Sequence, residues 1–196
     1  MILFSLCLLT VVVVFIFAMS FVINNNPKLS SAPVSLFVVP ETFSVTQKDN
    51  TIDAVVYINL AERKDRKLHI EKEIEKLNGI YKTKERIDAV KHKVGAKGCA
   101  LSHIKALNLA KTKGWKNVLI VEDDLTFYEA SAPLIIAYVT SSYQFDVLLI
   151  AGNIKSSSKK ETLGLARALK VLTTACYLVR DHYYDILINV MMWLGP

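Results

Sequence analysis

Charge is missing from the front of this chain: no Asp, Glu, Lys or Arg occurs before Lys28. Cysteine is scarce, at three in 196 residues, which excludes a small fold built on disulfides. No internal repeat is visible. What is present is a hydrophobic content of 52% beside 21% charged residues, a balance that excludes a mainly disordered chain. The length suits one ordinary domain plus attachments. All of the net charge of +6 falls on residues 28–196. A basic surface of that size favours anionic partners such as phosphates, nucleic acid or acidic lipid headgroups, without choosing among them.

Residues 2–23 are uncharged and rich in Val, Leu, Ile and Phe. At about 1.5 Å per residue the run covers roughly 33 Å, enough to cross a bilayer core. A cleaved signal peptide has a basic start and an apolar region of about 7–15 residues, whereas here only the amino terminus is positive. The segment therefore reads as an uncleaved single-pass anchor over 1–24, with a cleaved signal as the alternative. Asn24-Asn25-Asn26-Pro27, Ser30-Ser31-Ala32-Pro33 and Pro40 mark 25–50 as a stem, with 34–39 as a candidate short strand.

From residue 51 onward, strand and helix patterns alternate. Residues 53–60 form a compact apolar run suited to a buried parallel strand. Residues 64–77 carry Ile70, Ile74 and Leu77 at helical spacing. A short strand is expected at 85–90 and a helix at 99–113, closed by Gly114. Further strands are expected at 117–121, 146–151 and 171–179, a polar loop at 156–160, and helices at 132–141 and 181–193. Such alternation predicts an α/β domain with a mostly parallel sheet, whose ligands bind beyond the carboxyl ends of the strands.

Three strand ends carry candidate chemistry. Glu122-Asp123-Asp124 follows the 117–121 strand; three consecutive acids repel unless a cation compensates, and oxygen ligands suit Mg²⁺ or Mn²⁺. Alternation along an extended chain lets Glu122 and Asp124 point together while Asp123 points away. A solvated acidic turn is the plainer reading. Asn59-Leu60-Ala61-Glu62-Arg63-Lys64-Asp65-Arg66 places two arginines at a helix start, where they can grip phosphate or simply form a salt-bridged helix entry. Gly98-Cys99-Ala100-Leu101-Ser102-His103 has no third triad member, and its His103 reads by default as a packed, hydrogen-bonded side chain. Cys99 and His103 share a helix face, a two-ligand metal signal that is weak by itself.

Taken in order, these segments resemble glycosyltransferase family 25, the lipooligosaccharide and procollagen galactosyltransferase type. The carrying residues are Val55-Val56-Tyr57-Ile58-Asn59-Leu60 with Arg63 and Arg66, then Arg86-Ile87-Asp88-Ala89. Gly98, Cys99, Ser102 and His103 follow, then Glu122-Asp123-Asp124, and last Thr173-Thr174-Ala175-Cys176-Tyr177. The resemblance spans roughly residues 53–180. It implies a GT-A-like fold and inverting transfer of a hexose, typically galactose, from a UDP-sugar donor to a glycan or protein hydroxyl. It implies Mn²⁺ or Mg²⁺ on Glu122 and Asp124, with Asn59, Leu60, Arg63, Arg66, Ser102, His103 and Asp123 around the donor. It assigns no general base. Membrane attachment through the N-terminal helix and a lumenal domain in the secretory pathway complete the expectation, with no nucleic-acid partner. Residues 90–95 are shorter and more basic than the family's corresponding loop. The family also generally continues into acceptor-binding strands, so 51–196 is expected to be C-terminally incomplete.

Rival functions fit less well. A response-regulator receiver domain would need an Asp where Ala151 stands. A metal-dependent phosphoryl-transfer enzyme would need carboxylates at other strand ends, and Asp146 precedes its strand. A non-catalytic, membrane-anchored remnant that binds donor is the remaining alternative.

Overall fold

The computed structural model describes residues 52–127, 132–142, 144–157 and 168–193. The anchor, the stem and the candidate strand at 34–39 lie outside these residues. Among the described residues no helix is long and apolar enough to cross a membrane.

Strand β1 (Ile52–Asn59) lies inside the sheet, and every residue after Asp53 is buried. A strand covered on both faces must be apolar throughout, which is why the sequence shows a continuous run rather than an alternation. Strands β2 (Tyr81–Asp88) and β3 (Asn117–Glu122) flank β1, both parallel to it. Helix α1 (Lys64–Glu75) makes the crossover from β1 to β2, and α2 (Gly95–Lys113) the crossover from β2 to β3. Parallel neighbours require such crossovers.

The five-stranded sheet has the order β2-β1-β3-β5-β4. Strand β5 (Ala168–Arg180) runs antiparallel both to β3 and to β4 (Val147–Ser157). The sheet is therefore mixed, where alternation alone predicted a mostly parallel one. The reason lies in the last two strands. Strand β5 runs against both of its neighbours, while β4 has the direction of β3. Strand β4 also continues to Ser157, into residues expected to be loop, because its polar outer half pairs with β5 through several register shifts.

Two helix layers cover the sheet. Ile70 and Ile74 of α1 and Ile136 and Ala137 of α3 (Ala132–Ser142) pack with Val55, Tyr57, Leu119 and Val121. On the opposite face, Ala106, Leu107 and Ala110 of α2 meet Val56, Ile58, Val118 and Ile120. Helix α4 (Tyr184–Trp193), entered through a 3₁₀ turn at Asp181–Tyr183, adds Tyr184, Leu187, Ile188 and Met191 to that layer. Helix α2 begins four residues before Cys99 and ends at Gly114, whose φ of 66° lets its N–H close on Ala110 and Lys111. Strand β2 begins four residues before the expected 85; as an edge strand with Lys82, Lys84 and Glu85 it lacks the apolar run that reveals a buried strand.

Leu107 is fully buried, whereas Leu101 on the same helix is 37% exposed. Leu107→Ala is expected to lower unfolding stability by about 2–5 kcal/mol. Leu101→Ala is expected to stay within about 0.5 kcal/mol of wild type. Urea unfolding of the full chain followed by circular dichroism checks both.

Candidate functional site

Helices α1 and α2 pack on opposite faces of the sheet, so the carboxyl ends of β1 and β3 lie side by side at the kind of switch point where open α/β sheets form their crevice. Asn59 ends β1, and Glu122-Asp123-Asp124 ends β3. The register sets Ile58 opposite Glu122 and Asn59 opposite Asp88 of β2.

Asn59 is buried and its amide is fully engaged. Its Nδ2 donates to Asp123 Oδ2 at 2.8 Å and to the Arg63 carbonyl at 3.1 Å. Its Oδ1 accepts from Arg86 Nε at 3.2 Å, and Arg86 Nη2 donates to the Asn59 carbonyl at 3.2 Å. Arg66 Nη1 donates to Asp123 Oδ1 at 3.0 Å and to Asp124 Oδ2 at 3.3 Å. The ends of three strands and the start of α1 are thereby joined. Leu60 is half-buried, and its carbonyl accepts the Arg63 N–H to form the turn into α1. Arg63 is half-exposed and grips Asp65 in the first helical turn at 2.7 Å.

Helix α1 also holds the loop that follows the acids. Arg66, His69, Glu73 and Lys76 recur at spacings of three or four and so share one face. His69 Nε2 meets the Leu125 carbonyl at 2.8 Å and Thr126 Oγ1 at 3.1 Å. Glu73 accepts the Phe127 N–H at 2.7 Å, and Lys76 donates to Glu73 at 2.7 Å and to the Phe127 carbonyl at 3.2 Å. The sequence alone singles out the apolar stripe of Ile70, Ile74 and Leu77 and, among the polar residues of this face, Arg66. The polar stripe was visible as spacing, but nothing in the sequence named the loop it reads.

Glu122 lies on the other face, toward α2. His103 Nε2 is 3.3 Å from Glu122 Oε1, and the Cys99 thiol reaches the same oxygen at 3.8 Å. His103 Nδ1 meets Tyr177 Oη of β5 at 3.0 Å. His103 is thus buried and bonded at both ring nitrogens. Burial first, then the charges of Glu122 and Asp124, push the Cys99 thiol well above its usual range, so it stands protonated and donates. Ser102 is spent locally: its hydroxyl donates to the Gly98 carbonyl at 2.7 Å and accepts the Val90 N–H at 2.7 Å. Gly98 allows this approach, because a Cβ there would come within 2.5 Å of the Val90 carbonyl oxygen. Ser102 and Gly98 together pin the first turn of α2 to the loop after β2.

Asp124 is the acid most open to solvent, with its side chain 53% exposed. Partial burial, then the charges of Glu122 and Asp123, raise its carboxyl above the usual range against the opposing pull of Arg66. Negative charge at the crevice is therefore only partly neutralised by protein cations. Beside it, a mainly apolar hollow of about 400 Å³ is lined by Leu125, Phe127, Ala132, Ile136, Ile150 and Ala151 among others, and none of the three acids lines it. No protein-family model matches the chain, and no curated protein shows significant similarity to it.

Asn59→Ala strips Asp123 and Arg86 of their shared partner. It is expected to lower stability by about 1–3 kcal/mol, the cost of leaving buried polar groups unpaired, read by thermal or urea unfolding. The Glu73 carboxyl gives a pH signature. Burial alone would raise it, but Lys76 and the Phe127 N–H outweigh burial and hold it below its ordinary value. A lowered folded-state value stabilises fully above the unfolded-state pKa of about 4.3 and is lost as pH falls through the folded value. The stability gap between wild type and Glu73→Ala is therefore expected to hold steady from about pH 7 to 5 and to close below about pH 4. Urea titrations across that range measure it.

Proposed function

We propose that residues 51–196 are the donor-binding part of a GT-A-like hexosyltransferase of the family 25 type, moving a hexose such as galactose from a UDP-sugar to a glycan or protein hydroxyl. The observation that carries this reading is the convergence of Asn59, Arg66, Asp123 and Asp124 at the point where the crossovers diverge. That is the place where open α/β sheets take nucleotides. Residues from two distant parts of the sequence resemblance meet there within hydrogen-bond distance.

The donor set fits a hard divalent ion. Asp124 offers half-exposed oxygens at the crevice, and its raised carboxyl marks negative charge that a cation would relieve. Asp124 with Glu122 would hold Mn²⁺ or Mg²⁺, which when bound neutralises charge on the donor diphosphate. Arg66 keeps Asp123 in place and can yield its longer contact to Asp124. Arg63, half-exposed at the start of α1, would exchange its Asp65 contact for a phosphate oxygen. Asn59 acts by positioning, since all its amide bonds are already made. Residues 1–24 are proposed to anchor the domain to a membrane, with 25–50 as the stem.

Calorimetric titration of UDP into the full chain tests the reading. Binding is expected to need Mn²⁺ and to weaken at least about tenfold in Asp124→Ala, as loss of a charge-assisted contact requires. A folded protein that shows no UDP affinity with Mn²⁺ present refutes it. Transfer or hydrolysis of UDP-galactose then separates an active enzyme from a binding remnant.

A further inference from the structure

We infer that Cys99, His103 and Glu122 form a binding site for a borderline-soft transition-metal ion, Zn²⁺ by chemistry, which shares only Glu122 with the hard-ion site proposed on Asp124 and Glu122. The three ligand atoms, Sγ, Nε2 and a carboxylate oxygen, lie within 4.8 Å of one another. Metal bonds of about 2.3 Å to sulfur and about 2.0–2.1 Å to nitrogen or oxygen, at the tetrahedral angle, put ligand atoms roughly 3.3–3.6 Å apart. The observed 3.3 Å from His103 to Glu122 and 3.8 Å from Cys99 to Glu122 are close to those edges.

The supporting structure is that of a built site. Cys99 and His103 stand one turn apart on α2 and face the end of β3, so both ligand-bearing elements are rigid. Tyr177 Oη holds the far ring nitrogen of His103 at 3.0 Å, deep in the core. With the ring proton on Nδ1 directed at that oxygen, the Nε2 lone pair is presented to the metal, the arrangement that orients ligating imidazoles. Two donors now crowd Glu122 Oε1, the Cys99 thiol and His103 Nε2. A metal ion replaces them with a single centre.

The proton balance is simple. A bond forms from Cys99 Sγ to the metal, and the thiol proton passes to solvent. The imidazole stays neutral, its one proton moving from Nε2 to Nδ1. Glu122 contributes an anionic oxygen without losing a proton. Thiolate, imidazole and carboxylate together favour Zn²⁺ over Mg²⁺ or Mn²⁺. Three protein ligands leave the fourth position open to water or to a neighbouring oxygen.

The test uses the full chain, stripped with a chelator and free of nucleotide. Zn²⁺ is titrated against a chromophoric competitor, and Co²⁺ is added separately to read thiolate coordination by absorption. Wild type is expected to take up one Zn²⁺ that Cys99→Ala does not, a loss of more than about a hundredfold in affinity, and to show a thiolate-to-cobalt charge-transfer band absent from Cys99→Ala. Tyr177→Phe, which keeps all three ligands, is expected to weaken Zn²⁺ binding about 10–100-fold. Equal Zn²⁺ uptake by wild type and a folded Cys99→Ala protein, or a Co²⁺ spectrum without the thiolate band, overturns the inference. Because no nucleotide is present, neither result depends on UDP binding, and failure of the donor-site reading leaves this one standing.

Discussion

The buried amide of Asn59 is the constraint on which the working edge of the molecule depends. Its hydrogens go to the Arg63 carbonyl and to Asp123, and its oxygen goes to Arg86. Deprived of partners, a buried amide of this kind would cost several kcal/mol, on the order of 2–7 by transfer measurements. The arrangement therefore holds as a unit or not at all. It also depends on strand register. Moving β1 by one residue against β3 would turn Asn59 to the opposite face, away from Asp123 and toward α2. The hydrophobic pattern prevents that slip, because it would exchange Val55 and Tyr57 with Val56 and Ile58 between two differently shaped layers.

Three acids in a row are tolerated because the fold gives each a different set of partners. Glu122 continues the side of β3 that bears Val118 and Ile120 and meets α2. Asp123 continues the side of Leu119 and Val121, where Arg66 pairs with it and Asn59 donates a hydrogen bond to it. Asp124, past the end of the strand, stands between Arg66 and solvent. Strand alternation separates the first two by the thickness of the sheet, so their mutual repulsion is smaller than adjacency in sequence suggests. The remaining unfavourable interaction falls on Asp124, whose carboxyl is raised above the ordinary range.

The features legible in the sequence were those with a local cause. The buried runs of β1 and β3, the helical spacing of Ile70, Ile74 and Leu77, and the stop at Gly114 each follow from periodicity or from one residue's conformational freedom. The alternation of Glu122 and Asp123 across the strand was also readable, as was the packed and bonded state of His103. What escaped was long-range. Strand β5 enters between β3 and β4, and no local pattern in residues 168–180 encodes which neighbour it takes. Arg86 shows no role in the sequence, because its partner Asn59 lies 27 residues away on another strand. Ser102 looked like a candidate for the donor pocket, but its hydroxyl is consumed by Gly98 and Val90, a pairing only coordinates reveal.

The strand that ends in these acids divides two kinds of donor chemistry. On the α1 side, guanidinium and amide groups meet carboxylate oxygens, a setting for phosphate and hard cations. On the α2 side, thiol and imidazole meet Glu122 Oε1, a setting for a softer ion. Glu122 stands where the two settings adjoin, and a carboxylate has two oxygens, of which Oε1 alone serves the Cys99 and His103 contacts. A charge bound on the α2 side would also act on the α1 side. It would offset the negative charge of Glu122, which now helps to raise the Asp124 carboxyl, and so alter how strongly Asp124 attracts a cation of its own. The spacing of Cys99, His103 and Glu122 thus bears on the electrostatics of the crevice as well as on their own site.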